Sequence, residues 1–116
     1  MPDTHIRLLQ VGNAEIALRQ GSATAALAHI SDLVDDILAD RPNTRHVEHS
    51  RHVTLSDVLI ASNDPRALDL IGKRRAYILH HSAAITNLEH RNAYLEKATP
   101  IRHLLTSYDT LNAQRN

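Results

Sequence analysis

Apolar residues recur along this chain at three- and four-residue intervals almost from end to end, the period of an amphipathic helix. The clearest case is SATAALAHISDLVDDILAD, where Ala23, Ala26, Leu27, Ile30, Leu33, Val34, Ile37 and Leu38 share one face and Asp32, Asp35, Asp36 and Asp40 lie opposite. Ser22 directly after Gly21 is a good N-cap. Pro42 predicts a stop near Arg41, because proline disfavours helical geometry in the residue before it. Upstream, THIRLLQVGNAEIALRQG predicts helix ending at Gly21, weakened in its middle by Gly12 and open to being two short pieces.

Residues 41–53 read as a connection. TLSDVLIAS then offers a capping box, Thr54 with Asp57, and a short helix carried by Leu55, Val58 and Leu59. Stronger punctuation follows, with Asp64 as N-cap and Pro65 at the first helical position. From Pro65 the periodicity predicts the longest element, running to about Ala98, roughly 50 Å at 1.5 Å per residue. Its apolar set is Ala67, Leu68, Leu70, Ile71, Tyr77, Ile78, Leu79, Ala84, Ile85, Leu88 and Leu95, interrupted by Arg74, Arg75 and His81. So broad a face on so long a helix is more than one short neighbour covers. Thr99-Pro100 restarts the chain, and Ile101, Leu104, Leu105, Tyr108 and Leu111 then mark a C-terminal amphipathic helix. No segment alternates as a strand would. The expected fold is one all-α domain over residues 1–116, a small bundle of four to five helices with one long central helix.

Composition sharpens this picture at one point. The chain has no Phe, Trp or Cys, and its aromatics are Tyr77, Tyr94 and Tyr108, so the core must be aliphatic and thin. A thin core with wide apolar helix faces predicts a homodimer. Absent cysteine removes disulfides, thiolate ligands and cysteine nucleophiles and fits a reducing compartment. The opening MPDTHIRLLQ lacks the features of a secretory signal, and no apolar run approaches the ~18 residues that cross a bilayer. The chain reads as cytoplasmic, without a membrane partner. Net charge is zero, yet residues 1–40 hold six acids and two bases, −4, and residues 41–116 hold seven acids and eleven bases, +4. That polarity falls short of the basic excess of a DNA-binding domain, and direct nucleic-acid binding is not expected.

Catalytic signatures are missing. Three glycines cannot build a phosphate-cradling loop, and Gly-x-Ser-x-Gly does not occur. RHVEHSRHV sets His46, His49 and His52 at three-residue spacing, which lets at most two adjacent imidazoles converge on a metal. The same three beside Arg45 and Arg51 would gain charge below about pH 6.5. Lys73, Arg74 and Arg75 are the best phosphate or nucleic-acid contact, against the ordinary alternative of a salt-bridged rim. LSDVLIASNDPRALDLIGKRRAY fits a helix-turn-helix only loosely, since Asn63-Asp64-Pro65 lacks the usual small residue.

The acidic helix SATAALAHISDLVDDILAD, the short TLSDVLIAS and the long DPRALDLIGKRRAYILHHSAAITNLEHRNAYLEKA, in a cysteine-free chain of this length, resemble one known family. It is that of the small, wholly helical bacterial antiactivators that sequester LuxR-type quorum-sensing regulators, of the LasR-sequestering type. The resemblance implies a homodimer that binds a transcriptional regulator, blocks its dimerisation and so prevents DNA binding, with no catalysis, cofactor or metal. The partner surface would then lie on the long helix, at Leu68, Ile71, Arg75, Ile78, Leu79 and His81, as a helix-in-groove contact. Two alternatives stay open. One is a metal- or pH-responsive helical protein working through His46, His49 and His52. The other is a small helical-dimer enzyme whose intersubunit pocket gathers Arg74, Arg75 and a carboxylate such as Glu89.

Overall fold

The computed structural model of the chain describes residues 4–41, 44 and 47–115, the side chains of 4–8 and 115 excepted. Among these residues all regular structure is helical: α1 (Thr4–Arg19), α2 (Ala23–Leu38), α3 (His49–Ala61), α4 (Arg66–Ala83), α5 (Leu88–Glu96) and α6 (Thr99–Arg115). No helix is long and apolar enough to cross a membrane.

Three helix ends share one device. Gly21 (φ 83°), Asp40 (φ 58°) and Asn63 (φ 53°) adopt left-handed geometry. In each case two N–H groups fold back onto the last turn, as Ser22 N onto Ala17 O, Arg41 N onto Asp36 O and Asp64 N onto Leu59 O. This is the Schellman arrangement, which satisfies carbonyls a helix end would otherwise strand. Gly21 adopts it at no steric cost, whereas Asp40 and Asn63 are among the few other residue types that tolerate it. So α1 is a single helix, Gly12 notwithstanding, and α2 is already finished at Asp40. Pro42, Arg45 and His46 lie outside the described residues.

Ser22 caps α2 as its sequence predicts, its hydroxyl accepting from Ala25 N. Ala26, Ile30, Leu33, Val34 and Ile37 are buried, at the i, i+4, i+7, i+8 and i+11 positions of one stripe. They pack with Val11, Ala14 and Ala17 of α1, with Leu55, Val58 and Leu59 of α3, and with Ala67 and Leu70 of α4. Each large aliphatic side chain so buried contributes about 1.5–3 kcal/mol. A second, smaller cluster joins Ile78 to Ile101 and Leu104 of α6, with Val53, Tyr94 and Leu95 against it. Helix α3 touches α1, α2, α4 and α6 and is the central element.

Two boundaries differ from expectation. Helix α3 starts at His49, so Thr54 and Asp57 lie inside it and form no capping box; Asp57 instead meets His103 of α6 at 3.0 Å. The single helix expected from Pro65 to Ala98 is two, because Asn87 caps a new one. Its side-chain oxygen accepts from His90 N, and Arg91 Nε and Nη2 donate to Ile85 O at 3.0 and 2.7 Å. A cap that takes backbone donors locally competes with continuing the helix. The bundle therefore has six helices among the described residues in place of four or five, and its long axis is broken at residues 84–87.

Candidate functional site

Adjacent side chains on a helix leave its axis about 100° apart, and the run Lys73-Arg74-Arg75 shows the consequence. Lys73 Nζ stands 3.7 Å from an Asp40 carboxylate oxygen. Arg75 lies over the Tyr108 ring of α6, 4.7 Å from its centroid. Gly72 leaves room for the ring, since a Cβ there would sit 3.3 Å from Tyr108 Cε2, a few tenths of an ångström too close. Arg74 turns towards α3. Its Nε donates to His49 Nδ1 at 3.0 Å, its Nη2 donates to the Val47 carbonyl at 3.2 Å, and its guanidinium carbon is 4.3 Å from the Tyr77 ring centroid. The three charges thus form no common basic face, and the phosphate or nucleic-acid contact expected there loses its geometric basis.

Around Arg74 the rings gather. Tyr77 stacks on His81 with centroids 4.2 Å apart and meets the edge of His49 at 6.0 Å. One turn beyond His49, His52 is only 4% exposed, and its buried Nδ1 has no hydrogen-bond partner. Its carbonyl accepts from Ser56 Oγ, a second buried polar group on α3. Ile37, Asp40, Thr44, His52, Leu70, Lys73, Arg74 and Tyr77 enclose a cleft of about 390 Å³. On the α4 side it is built from Leu70, Lys73, Arg74 and Tyr77, at i, i+3, i+4 and i+7 on one flank.

The electrostatics follow from burial. Desolvation, with help from the charges of Arg74 and His49, pushes the His52 imidazole down to about 3, so it is neutral at physiological pH. His49 is also lowered, first by burial and then by the Arg74 and His81 charges. The Arg74 Nε–H that points at its Nδ1 reinforces this, since a protonated Nδ1 could not accept it. Burial lowers Arg74 itself, and no carboxylate among the described residues lies against it.

The residues singled out from the sequence are separated by this geometry. Ile71 and Ile78 are fully buried in the chain's own core and cannot be partner surface, because α6 and α3 cover the stripe they occupy. Leu68, Arg75 and Leu79, at i, i+7 and i+11, share the flank of α4 that carries the Arg75–Tyr108 contact, and Leu79 is 37% exposed. His81 belongs with Tyr77 at the other flank. Arg74 and Arg75 part to different neighbours, and the cleft that Arg74 lines does not include Arg75. Of the histidine trio, His46 lies outside the described residues, while His49 and His52 face the cleft region from α3. Among the described residues no three His, Asp or Glu side chains come together as a metal site. The burial of His52 and Ser56 was hidden by their polarity, although the spacing His52, Leu55, Ser56, Leu59 is that of a core-facing stripe. No family model matches the chain, and no curated protein and no solved structure matches it either.

Proposed function

We propose that the chain is a non-catalytic, protein-binding regulator that sequesters a transcription factor, of the LuxR type its sequence resemblance suggests, by occupying that factor's dimerisation surface. The observation that supports this reading is the outer flank of α4. There Leu68 and Leu79 bracket Arg75, whose guanidinium rests on the half-covered Tyr108 ring. Arginine and tyrosine beside aliphatic anchors are the residue types that carry most binding energy at protein interfaces. Arg75 held against Tyr108 is also ordered in advance, which lowers the entropy lost on association. The same flank, or the apolar Leu9 and Ile16 exposed on α1, would serve the homodimer expected from the thin core.

The test is co-expression with a LuxR-type regulator, followed by size-exclusion chromatography and an operator-binding assay. Comigration with loss of operator binding supports the reading. Arg75→Glu and Leu79→Asp should each abolish comigration while leaving the free protein folded, since neither side chain is buried. A regulator that still dimerises and binds its operator in stoichiometric excess of this protein would overturn it. Sedimentation of the free protein then reports whether it self-associates.

A further inference from the structure

Arg74 poses a problem of charge that the described residues do not solve. Its guanidinium is partly withdrawn from water, and the groups against it are a neutral imidazole, a carbonyl and a phenol ring. Buried charges in proteins are ordinarily paired. Of the five N–H groups of an arginine, two are engaged here, Nε–H by His49 and one on Nη2 by Val47, which leaves three, all on the terminal fork. That fork matches a carboxylate, which accepts two parallel N–H bonds.

The rest of the cleft narrows the occupant. Lys73 and Asp40 face each other across 3.7 Å and offset one another, His52 is uncharged, and among the described residues of the cleft Arg74 alone is left over. The wall therefore carries one uncompensated positive charge, with a carboxylate nearby that would repel a second negative charge on a ligand. The exposed ring of Tyr77 supplies the apolar surface, with the edges of the nearly buried Ile37 and Leu70 beneath it. His52 lies in the wall as well, but its unpartnered ring nitrogen is closed to solvent and adds no contact. The volume, about 390 Å³, lies within the range of small-molecule sites. We infer that this cleft binds a small monocarboxylate with a flat apolar body, its carboxylate on the Arg74 fork and its body between Ile37, Leu70 and Tyr77. The site is on the opposite flank of α4 from Arg75 and does not depend on the protein-binding reading.

The experiment is a titration of the isotope-labelled full chain with benzoate, and separately with benzamide, at matched ionic strength, followed by nuclear magnetic resonance. The reporters are the Arg74 Nε–H, the Tyr77 ring and the Thr44 and Leu70 amides. Benzoate should give saturable shifts at these groups with a dissociation constant in the millimolar range expected of so small a probe. Benzamide, the same shape without charge, should bind at least tenfold more weakly, as should benzoate to Arg74→Gln. If Arg74→Gln does not fold, the benzoate–benzamide contrast on the unmodified protein still decides, with Tyr77→Ala as the second variant because that ring is 46% exposed. Equal affinity for the two probes, shifts that never saturate, or saturable shifts away from these residues would each overturn the assignment.

Discussion

Acidifying the solution should weaken this protein through His52, and the size of the effect can be worked out. In the unfolded chain the imidazole takes up a proton near pH 6.5; in the folded chain burial, then the charges of Arg74 and His49, hold it down to about 3. At pH 7 both forms are neutral and the site contributes no pH dependence. As the pH falls below 6.5 the unfolded chain gains a proton that the folded one refuses, and stability drops by about 1.4 kcal/mol per pH unit. By about pH 5 the loss is roughly 2 kcal/mol, and it levels off near roughly 5 kcal/mol once the folded site also protonates, near pH 3. With His52 only 4% exposed, solvent screening takes little from this. Against a stability of about 5–15 kcal/mol for a domain of this kind, the lower figure is already a large share.

Urea unfolding at pH 7 and pH 5, followed by far-ultraviolet circular dichroism, measures it. His52→Gln removes the titration, and whatever the substitution itself costs cancels in the difference between the two pH values. The unmodified protein should lose about 2 kcal/mol more than the variant between them. His49, lowered in the same direction, adds to the loss in both proteins and so drops out of the comparison as well. Equal losses in the two proteins would refute the reasoning, because they would mean that His52 is hydrated or finds a partner for its second proton.

Other substitutions test the packing and the ends. Leu104→Ala empties a fully buried position in the small second cluster and should cost about 2–5 kcal/mol by chemical denaturation. Asn87→Ala removes the cap of α5 and should cost about 1 kcal/mol, with faster amide exchange confined to residues 88–96. Gly21→Ala places a side chain at φ 83° with open space around it, so conformation alone decides, and the loss should be about 1 kcal/mol. Leu79→Asp, on an exposed flank, should leave the melting midpoint nearly unchanged, within about 0.5 kcal/mol, while removing partner binding.

How far the sequence led can be judged element by element. Helix α2 was legible in full, because Gly21-Ser22 opens it and an unbroken aliphatic stripe runs along it. The C-terminal helix was legible too, and Ile101 and Leu104 are the side chains it buries most deeply. The start of α3 was not. Its first turn carries His49 and the buried His52, and a rule that equates inward with apolar reads His52 as part of a solvated connection. The break before α5 was equally concealed, since Ala84 and Ile85 continue the periodicity of α4 and only the Asn87 side chain, acting on His90, interrupts it. Arg74, Arg75 and His81 did stand out as interruptions of an apolar stripe, and each lies against a tyrosine ring. What pattern alone could not supply was direction, which depends on the neighbour each side chain meets.

Direction is also what turns one helix into two surfaces. The inner stripe of α4, Ala67, Leu70, Ile71 and Ile78, is committed to the core, so the helix is fixed by burial along its length. On one flank the fixed backbone brings Arg74 and Tyr77 up to α3, where no carboxylate among the described residues pairs with the Arg74 charge. On the other it sets Arg75 on Tyr108, beside Leu68 and Leu79, where the charge faces solvent and the aliphatic groups are only partly covered. Substitutions at the first flank should therefore alter small-anion binding, and substitutions at the second should alter association. Side chains on the two flanks touch different neighbours and share no hydrogen bond among those formed by Arg74, so their effects on stability should add to within about 0.5 kcal/mol. The double variant Tyr77→Ala with Leu79→Asp checks this by denaturant unfolding. A departure from additivity of more than about 1 kcal/mol would mean that the flanks communicate through α4, and that an anion in the cleft acts on the outer face.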